Sequence, residues 1–439
     1  MAAIHNAEDP QFSTEYHISN VENVLRATHI DDGGGYRALF GQPHQYTYGT
    51  HTYNKGAMVW HSLRGYLGDS VFYAAMRRLF ANHAFGNISG EQLRDSLEFY
   101  TGVSLDDFFN FHVYTPGYHD FLLDSMAVSG NNATIYLRQR SVGTDELMNS
   151  CRVPVTFFGY DGERAKRIVE MDGVHGIGQF QLPFSPRYAI VDFDEEMARA
   201  ATRGLMEITK RGVNKRLSAH FTGTVLSYGD NPTIVHVSHH WMAPDGDMPV
   251  GVVRTSQRYW TVSGYIPSDI RVAAAFQYSR DGYSNTDYPY LDRGFYDNSE
   301  SLDSLRLMYR ASSREPWQVV EASQNGSANE GTFNLNPLAI GEYALAIVDT
   351  ALLGILTPNR ETMPNTFSVY PNPGKGHVNI ERSVERPMTL YIDDMMGRHV
   401  RTIELNSRRA RVELPAGSYI ISRRDMSSGT VEAKAVIVR

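Results

Sequence analysis

Along the first hundred or so residues the apolar positions recur with a helical period. Phe72, Ala75, Met76, Leu79 and Phe80 stand at i, i+3, i+4, i+7 and i+8, a stripe that opens just after Asp69-Ser70. Ser89-Gly90-Glu91-Gln92 fits a capping box, with Leu93 and Leu97 one turn apart behind it and Gly102 placed as a C-terminal stop. Ser104 is expected to cap a short helix through Asp106, Asp107, Phe108 and Phe109, where the acidic pair suits the positive end of the helix dipole. Residues 46–69, YTYGTHTYNKGAMVWHSLRGYLGD, read as a loop with several tyrosines running straight into an amphipathic helix. The residues before it are mostly polar and carry a DDGGG turn at 31–35.

Near Thr115-Pro116-Gly117 the pattern changes. ATIYLRQR, CRVPVTFFGY and RYAIVDF read as strands separated by turns such as Asp161-Gly162. Residues 194–215, DEEMARAATRGLMEITKRGVNK, read as a bridging helix. Beyond it TIVHVSHHW, RYWTVSGYI, RVAAAFQYS, SLRLMYRA, WQVVEAS and EYALAIVD alternate with turns at the spacing of a β-sandwich. TPNRETMPN, residues 357–365 with two prolines, reads as a linker, and the last block returns to short strands. The expectation is a mixed, multidomain chain. It is helical over 1–120, a β-sandwich over 121–195, a linking helix over 196–216, a second β-sandwich over 217–356 and a small β-domain over 366–439. No period of a solenoid or propeller is present.

Composition narrows the function classes. At 439 residues the chain holds two to four domains, and 41 Lys+Arg against 49 Asp+Glu give a net charge of −8, which excludes a general affinity for nucleic acid or anionic membrane. Residues 365–439 depart from that average, with 12 basic and 8 acidic side chains. The single cysteine, Cys151, excludes an internal disulfide framework and a Cys-based zinc cluster, and its apolar strand context makes it inert. No run of about eighteen apolar residues offers a transmembrane helix. The opening MAAIHNAEDPQF lacks the pattern of a signal peptide, as expected either of a chain retained in the cell or of one whose true N-terminus lies upstream.

The tyrosines of residues 46–69 raise a chemical possibility. A tyrosine at a helix start beside a cleft can donate its phenol proton to a developing oxyanion, and with a reference pKa of about 10 it stays a donor at neutral pH. That role is useful where a metal-bound water attacks an amide, at a site that also needs a zinc held by two histidines and a carboxylate, and a general base. Tyr53-Asn54-Lys55-Gly56-Ala57, VWHSLRGYLGD, FYAAMRRLF, Asn87-Ile88-Ser89 and SLDDFFNFHVYTPGYHDF follow in one order. Together they resemble the back half of the catalytic domain of the gluzincin aminopeptidases, the membrane alanyl aminopeptidase and leukotriene hydrolase family. The resemblance covers roughly residues 1–195. It implies an α-helical remnant of a thermolysin-like catalytic domain followed by β-sandwich domains. It carries onto Tyr53 the family's tyrosine that stabilises the tetrahedral intermediate, and Tyr48 matches a second tyrosine of some members. His112 stands where the family usually has tryptophan.

No H-E-x-x-H occurs in the sequence. The family's glutamate ligand and Gly-rich exopeptidase strand would also fall before residue 1. The expectation is the C-terminal part of an exported zinc aminopeptidase that hydrolyses N-terminal peptide bonds, inactive alone. Zinc and peptide substrates would belong to the longer enzyme, with no metal bound by this chain. The alternative is a non-catalytic surface protein that kept the scaffold as a binding or spacer module.

Two further groups of residues are candidate sites. HVSHHW puts His236 and His240 on one face of a strand and His239 on the other, a pattern more often of surface strand histidines than of metal ligands. Asp281, Asp287, Asp292 and Asp297 could form a calcium loop, but their spacing fails the EF-hand pattern and reads as a solvated loop. The aromatics beside them (Tyr283, Tyr288, Tyr290, Phe295, Tyr296) read as packing residues rather than the lining of a sugar or peptide groove.

The tail is more specific. FSVYPNPGKGHVNI, LYIDDMMGRHV, LPAGSYIISRR and KAVIVR resemble the C-terminal sorting domain of the type IX secretion system of Bacteroidota. The residues that carry the match are Tyr370, Pro371, Asn372, Pro373, Gly397, Gly417 and Tyr419. The prolines fix an extended start and the glycines stand where turns are needed. The resemblance implies the type IX machinery as partner and delivery to the outer-membrane surface or the medium.

Overall fold

In the computed structural model the helical stripes of the sequence become a stack of helices that shares one core with the first strands. The structure describes residues 10–29, 35–229, 233–280, 291–350, 367–371, 374–382, 388–394, 399–424 and 431–438. Helix α1 spans Pro10–His29. A π-helical turn, His51–Lys55, runs without a break into α2, Gly56–Leu67. Then come α3 (Asp69–Asn82), α4 (Gly90–Thr101) and α5 (Asp106–Phe109), which continues into a second π-helical turn at Asn110–Tyr114.

The capping box of α4 forms as its sequence requires: the Gln92 N–H donates to Ser89 Oγ at 3.2 Å and the Ser89 N–H to Gln92 Oε1 at 2.9 Å. Gly102 ends the helix in the left-handed region, at φ 71°. Two details differ from expectation. Leu105, not Ser104, stands at the N-cap of α5, and its N–H is satisfied by the Glu98 carboxylate at 2.5 Å. Phe80 points to solvent, 69% exposed, while Phe72, Ala75 and Leu79 of the same stripe are buried.

Strands β1 (Tyr118–Ser129), β2 (Asn132–Val142) and β5 (His175–Gln181) form one antiparallel sheet in the order β1-β2-β5. Strands β3 (Cys151–Phe158), β4 (Arg164–Met171) and β6 (Tyr188–Val191) form a second, ordered β4-β3-β6. Leu63, Leu79, Leu97 and Phe108 from the helices join Phe121, Ile135, Val153 and Phe157 in a single core.

The linking helix expected over 196–216 does not exist. Ala201–Ile208 is strand β7 and Gly212–Arg216 is β8. The composition of ATRGLMEI favours a helix, but Thr202, Gly204, Met206 and Ile208 alternate inward with period two, and pairing with β10 (Thr233–His240) overrides propensity. The second sandwich therefore reaches back to residue 201. Its six-stranded sheet adds β11 (Val252–Gly264), β13 (Leu305–Arg310), β14 (Gln318–Val319) and β17 (Gly341–Val348), in the order β14-β13-β17-β11-β10-β7. A five-stranded sheet, in which β12 (Arg271–Ser279) pairs with β9 (Phe221–Ser227), packs across a core of Met206, Val235, Trp260, Phe276 and Leu345.

The other face of the six-stranded sheet is covered too, because Tyr259, Met308 and Ala344 pack with Val24 and Leu25 of α1 and Leu122 of β1. A strand covered on both faces needs a continuous apolar run, and all eight residues of β17 are buried. Everything so far belongs to one compact unit, Met1–Leu353.

The second unit is Gly354–Arg439. β18 (Phe367–Tyr370), β19 (His377–Arg382) and β22 (Arg409–Glu413) form one small antiparallel sheet. β20 (Met388–Asp394), β21 (His399–Leu405), β23 (Gly417–Arg424) and β24 (Val431–Val438) form another, in the order β21-β20-β23-β24. The two enclose a core of Phe367, Val378, Ile380, Leu390, Ile392, Ile421 and Val436. The sequence leads one to expect short strands in this block, and among the described residues they run over these ranges. The 357–365 linker, Asn372, Pro373 and Gly397 lie outside the described residues, as do Asp281, Asp287, Tyr283, Tyr288 and Tyr290.

Candidate functional site

The π-helical turn sends its consecutive side chains in different directions. Tyr53 is 59% exposed and Tyr48, on the loop before it, 82% exposed. Asn54 Nδ2 donates to Asn20 Oδ1 of α1 at 3.1 Å. Lys55 turns inward and is buried: its Nζ donates to the carbonyls of Arg37 at 2.9 Å and Gly117 at 3.0 Å, and lies 4.7 Å from the Tyr118 ring centroid. Burial pulls the Lys55 amine down to about 7. His51 is buried beside it and held at about 4, by burial first and then by Lys55 and Arg37. The turn is thus anchored by Lys55, which the sequence reading passed over, and presents the Tyr53 phenol to solvent. Single-turn π segments recur at functional sites.

His17 of α1 and His61 of α2 have ring centroids 4.2 Å apart, but His61 Nε2 is engaged with the Glu195 carbonyl at 2.8 Å. Among the described residues no group of three or more His, Cys, Asp or Glu side chains is placed to hold a metal. These residues do not fit a zinc centre.

The histidines of β10 correct the surface expectation, for His236, His239 and His240 are all buried. β10 lies between β7 and β11 in a sheet packed against other elements on both faces, so the three imidazoles are buried on either side. Burial holds His236 and His239 well below the ordinary imidazole value. Asp292 is likewise no solvated loop residue. It is buried and accepts two bonds from Arg258, Nε to Oδ1 at 2.8 Å and Nη2 to Oδ2 at 2.9 Å. Asp297 is half-buried and accepts from the Ser299 N–H. Phe295 and Tyr296 are core residues. Cys151 is buried, which pushes its thiol pKa up.

A polar cluster that sequence reasoning missed lies between β1 and the six-stranded sheet. Asp120, fully buried, accepts from Arg199 Nε at 2.8 Å, while Nη2, 2.7 Å from the same oxygen as an ion-pair contact, donates to the Phe121 carbonyl. Its other oxygen is 2.5 Å from His240 Nδ1, and His240 Nε2 is 2.9 Å from Thr261 Oγ1. Burial opposes ionisation of Asp120, but the Arg199 guanidinium and the hydrogen bonds from His240 and Arg199 outweigh it and hold the carboxyl well below the usual range. The one sequence signal was an aspartate amid the apolar residues of YHDFLL.

Residues 5–112, which contain α1 to α5 and both tyrosines, match the peptidase family M1 domain. Residues 368–439 match the secretion system C-terminal sorting domain. The chain joins a family M1 peptidase segment to a sorting tail. No curated protein matches the sequence. A solved structure of PorZ, an essential bacterial surface component of the type IX secretion system of Porphyromonas gingivalis, aligns at 11% identity over 72% of this chain and 58% of that one. Its TM-score is 0.16, a likeness that carries no argument.

In the sorting domain Tyr370 donates to Glu381 Oε2 at 2.7 Å, and Glu381 also meets Arg409 at 3.0 Å and Arg408 at 3.3 Å. Pro371 follows Tyr370 at the end of its strand. Tyr419 is buried and donates to the Pro415 carbonyl at 3.0 Å, while a Cβ at Gly417 would come within 3.1 Å of that hydroxyl. These residues build the small domain's fold.

Proposed function

We propose that this chain is the C-terminal portion of an exported M1-type zinc aminopeptidase, in which Tyr53 hydrogen-bonds the oxyanion formed as water adds to the substrate's first peptide carbonyl. The observation that carries the reading is the turn His51–Lys55 within the M1 segment: its neighbours are tied into the fold while the phenol is left open to solvent. The sorting domain supports export through the type IX machinery to the cell surface or medium. Zinc, its ligands and the general base must come from a half of the catalytic domain that these residues do not supply. By this reading the chain alone hydrolyses no peptide by the zinc route.

The coding sequence immediately upstream of Met1 is the first test. An in-frame H-E-x-x-H with a glutamate about twenty residues later supports the reading, on the family's ligand spacing. A stop codon and a true start site there would favour the alternative, a non-catalytic surface module on a peptidase scaffold. On the joined enzyme, Tyr53→Phe is expected to lower kcat by ~10²–10³, the range for losing one oxyanion donor, with zinc content unchanged. An unchanged kcat would remove Tyr53 from the mechanism.

A further inference from the structure

The Asp120–His240–Thr261 chain has features that a purely structural network does not need. Its members stand on three strands, Asp120 on β1, His240 on β10 and Thr261 on β11. The ionised carboxylate can only accept, so the bond at 2.5 Å places a proton on His240 Nδ1. In the neutral ring Nε2 is then the acceptor, and the 2.9 Å contact is a bond donated by the Thr261 hydroxyl. The Phe121 N–H and Arg199 hold the carboxylate, so the ring has one orientation and one tautomer. A hydroxyl donating to an imidazole that donates to a buried carboxylate is the arrangement of an activated nucleophile.

The hydroxyl also has somewhere to act. His240 and Thr261 line a cavity of about 140 Å³, together with Ser238, His236, Ser313 and Glu342. Thr261 is only half-buried. Ser238 is its cross-strand partner, so a second hydroxyl stands beside the first. The cavity is far smaller than the ~300–1,000 Å³ pockets that take drug-sized ligands, which suits a short acyl group and excludes a folded peptide.

We propose that Thr261 is the nucleophile of a second, metal-independent hydrolytic site for short-chain carboxylic esters, with His240 as its base and Asp120 and Arg199 as positioning residues. Thr261 Oγ1 adds to the ester carbonyl carbon while its proton passes to His240 Nε2. The bond from that carbon to the alkoxy oxygen breaks with its electron pair, and the leaving oxygen takes the proton from Nε2 to depart as the alcohol. Water then adds to the acyl-threonine carbonyl, its proton passing to the same nitrogen and on to Thr261 Oγ1 as the carboxylic acid departs. The Ser238 hydroxyl is the neighbouring donor for the oxyanion.

The test uses the whole chain with a chelator present, so that zinc chemistry contributes nothing. The protein is treated with an alkyl fluorophosphonate and digested for mass spectrometry, and turnover of p-nitrophenyl acetate and butyrate is followed in parallel. The expected result is one phosphonyl adduct on Thr261, absent from Thr261→Val and retained by Thr261→Ser. Ester turnover should fall by about 10²-fold or more in Thr261→Val, the scale of a lost base-assisted step, and recover in Thr261→Ser. No adduct at Thr261 in the folded wild-type chain, or ester turnover equal in the wild type and Thr261→Val, would overturn the proposal. Thr261→Val keeps the side-chain shape, and an unchanged thermal transition verifies that it folds.

Discussion

Lys55 and Asp120 are both buried charges, and the fold treats them differently. Lys55 meets only carbonyl oxygens and a ring, and a neutral amine can make the same two bonds, so burial lowers its pKa from the ordinary 10.5 to about 7. Between those values the unfolded chain holds the proton and the folded chain does not. The folded state therefore gains stability as pH rises above 7 and loses it as pH falls, by up to ~1.4 kcal/mol per pH unit. Urea unfolding at pH 7 and pH 9 should show that gain in the wild type and a smaller one in Lys55→Met. Asp120 has Arg199 and His240 beside it. Asp120→Asn should cost ~3–5 kcal/mol, because it removes the nearer carboxylate of a buried guanidinium and leaves only Asp192, at 3.9 Å, to oppose its charge. Glu170→Ala, at the exposed pair with Arg152, should cost under ~1 kcal/mol by the same denaturation curves. Tyr53 was legible as a candidate because its motif is contiguous. The Asp120 cluster was not, since its members are 79, 120 and 21 residues apart and only the fold brings them together.

At the scale of elements, local signals gave the helices away and tertiary pairing hid one pair of strands. α4 carries its own instructions at both ends, and both are used. Ser89→Ala should cost ~1 kcal/mol, read as a lower urea midpoint with an unchanged slope. Gly117 is more tightly constrained: at φ 94° a Cβ would come 2.4 Å from the Val142 carbonyl oxygen. Gly117→Ala should therefore lower the midpoint by more than Gly102→Ala, whose Cβ would meet open space. The misread segment, Ala201–Ile208, has helix-forming composition but a burial rhythm of two, and β10 beside it decides the outcome. The buried histidines of β10 were misread for a related reason. Alternation shows which face a residue takes, but not that a third layer, α1 and β1, covers the second face.

Across the whole molecule, the first unit is tied together by arginines as well as by apolar cores. Asp245 receives Arg138 of β2 and Arg310 of β13, and Arg310 also binds Glu342 of β17 at 2.6 Å. The tail unit has its own core, so residues 366–439 expressed alone should unfold in a single cooperative transition followed by circular dichroism. The positive charge of the chain rests almost wholly on arginine: of 41 basic residues six are lysines, and Lys55 alone among them is sealed among carbonyls. An amine-reactive acylating reagent can modify the solvent-facing lysines of the native protein but must wait for Lys55 until α1, the π turn and the first sheet come apart. Acylation of that one residue, timed by mass spectrometry, is thus a clock for opening of the fold, written into the chain without any engineered label.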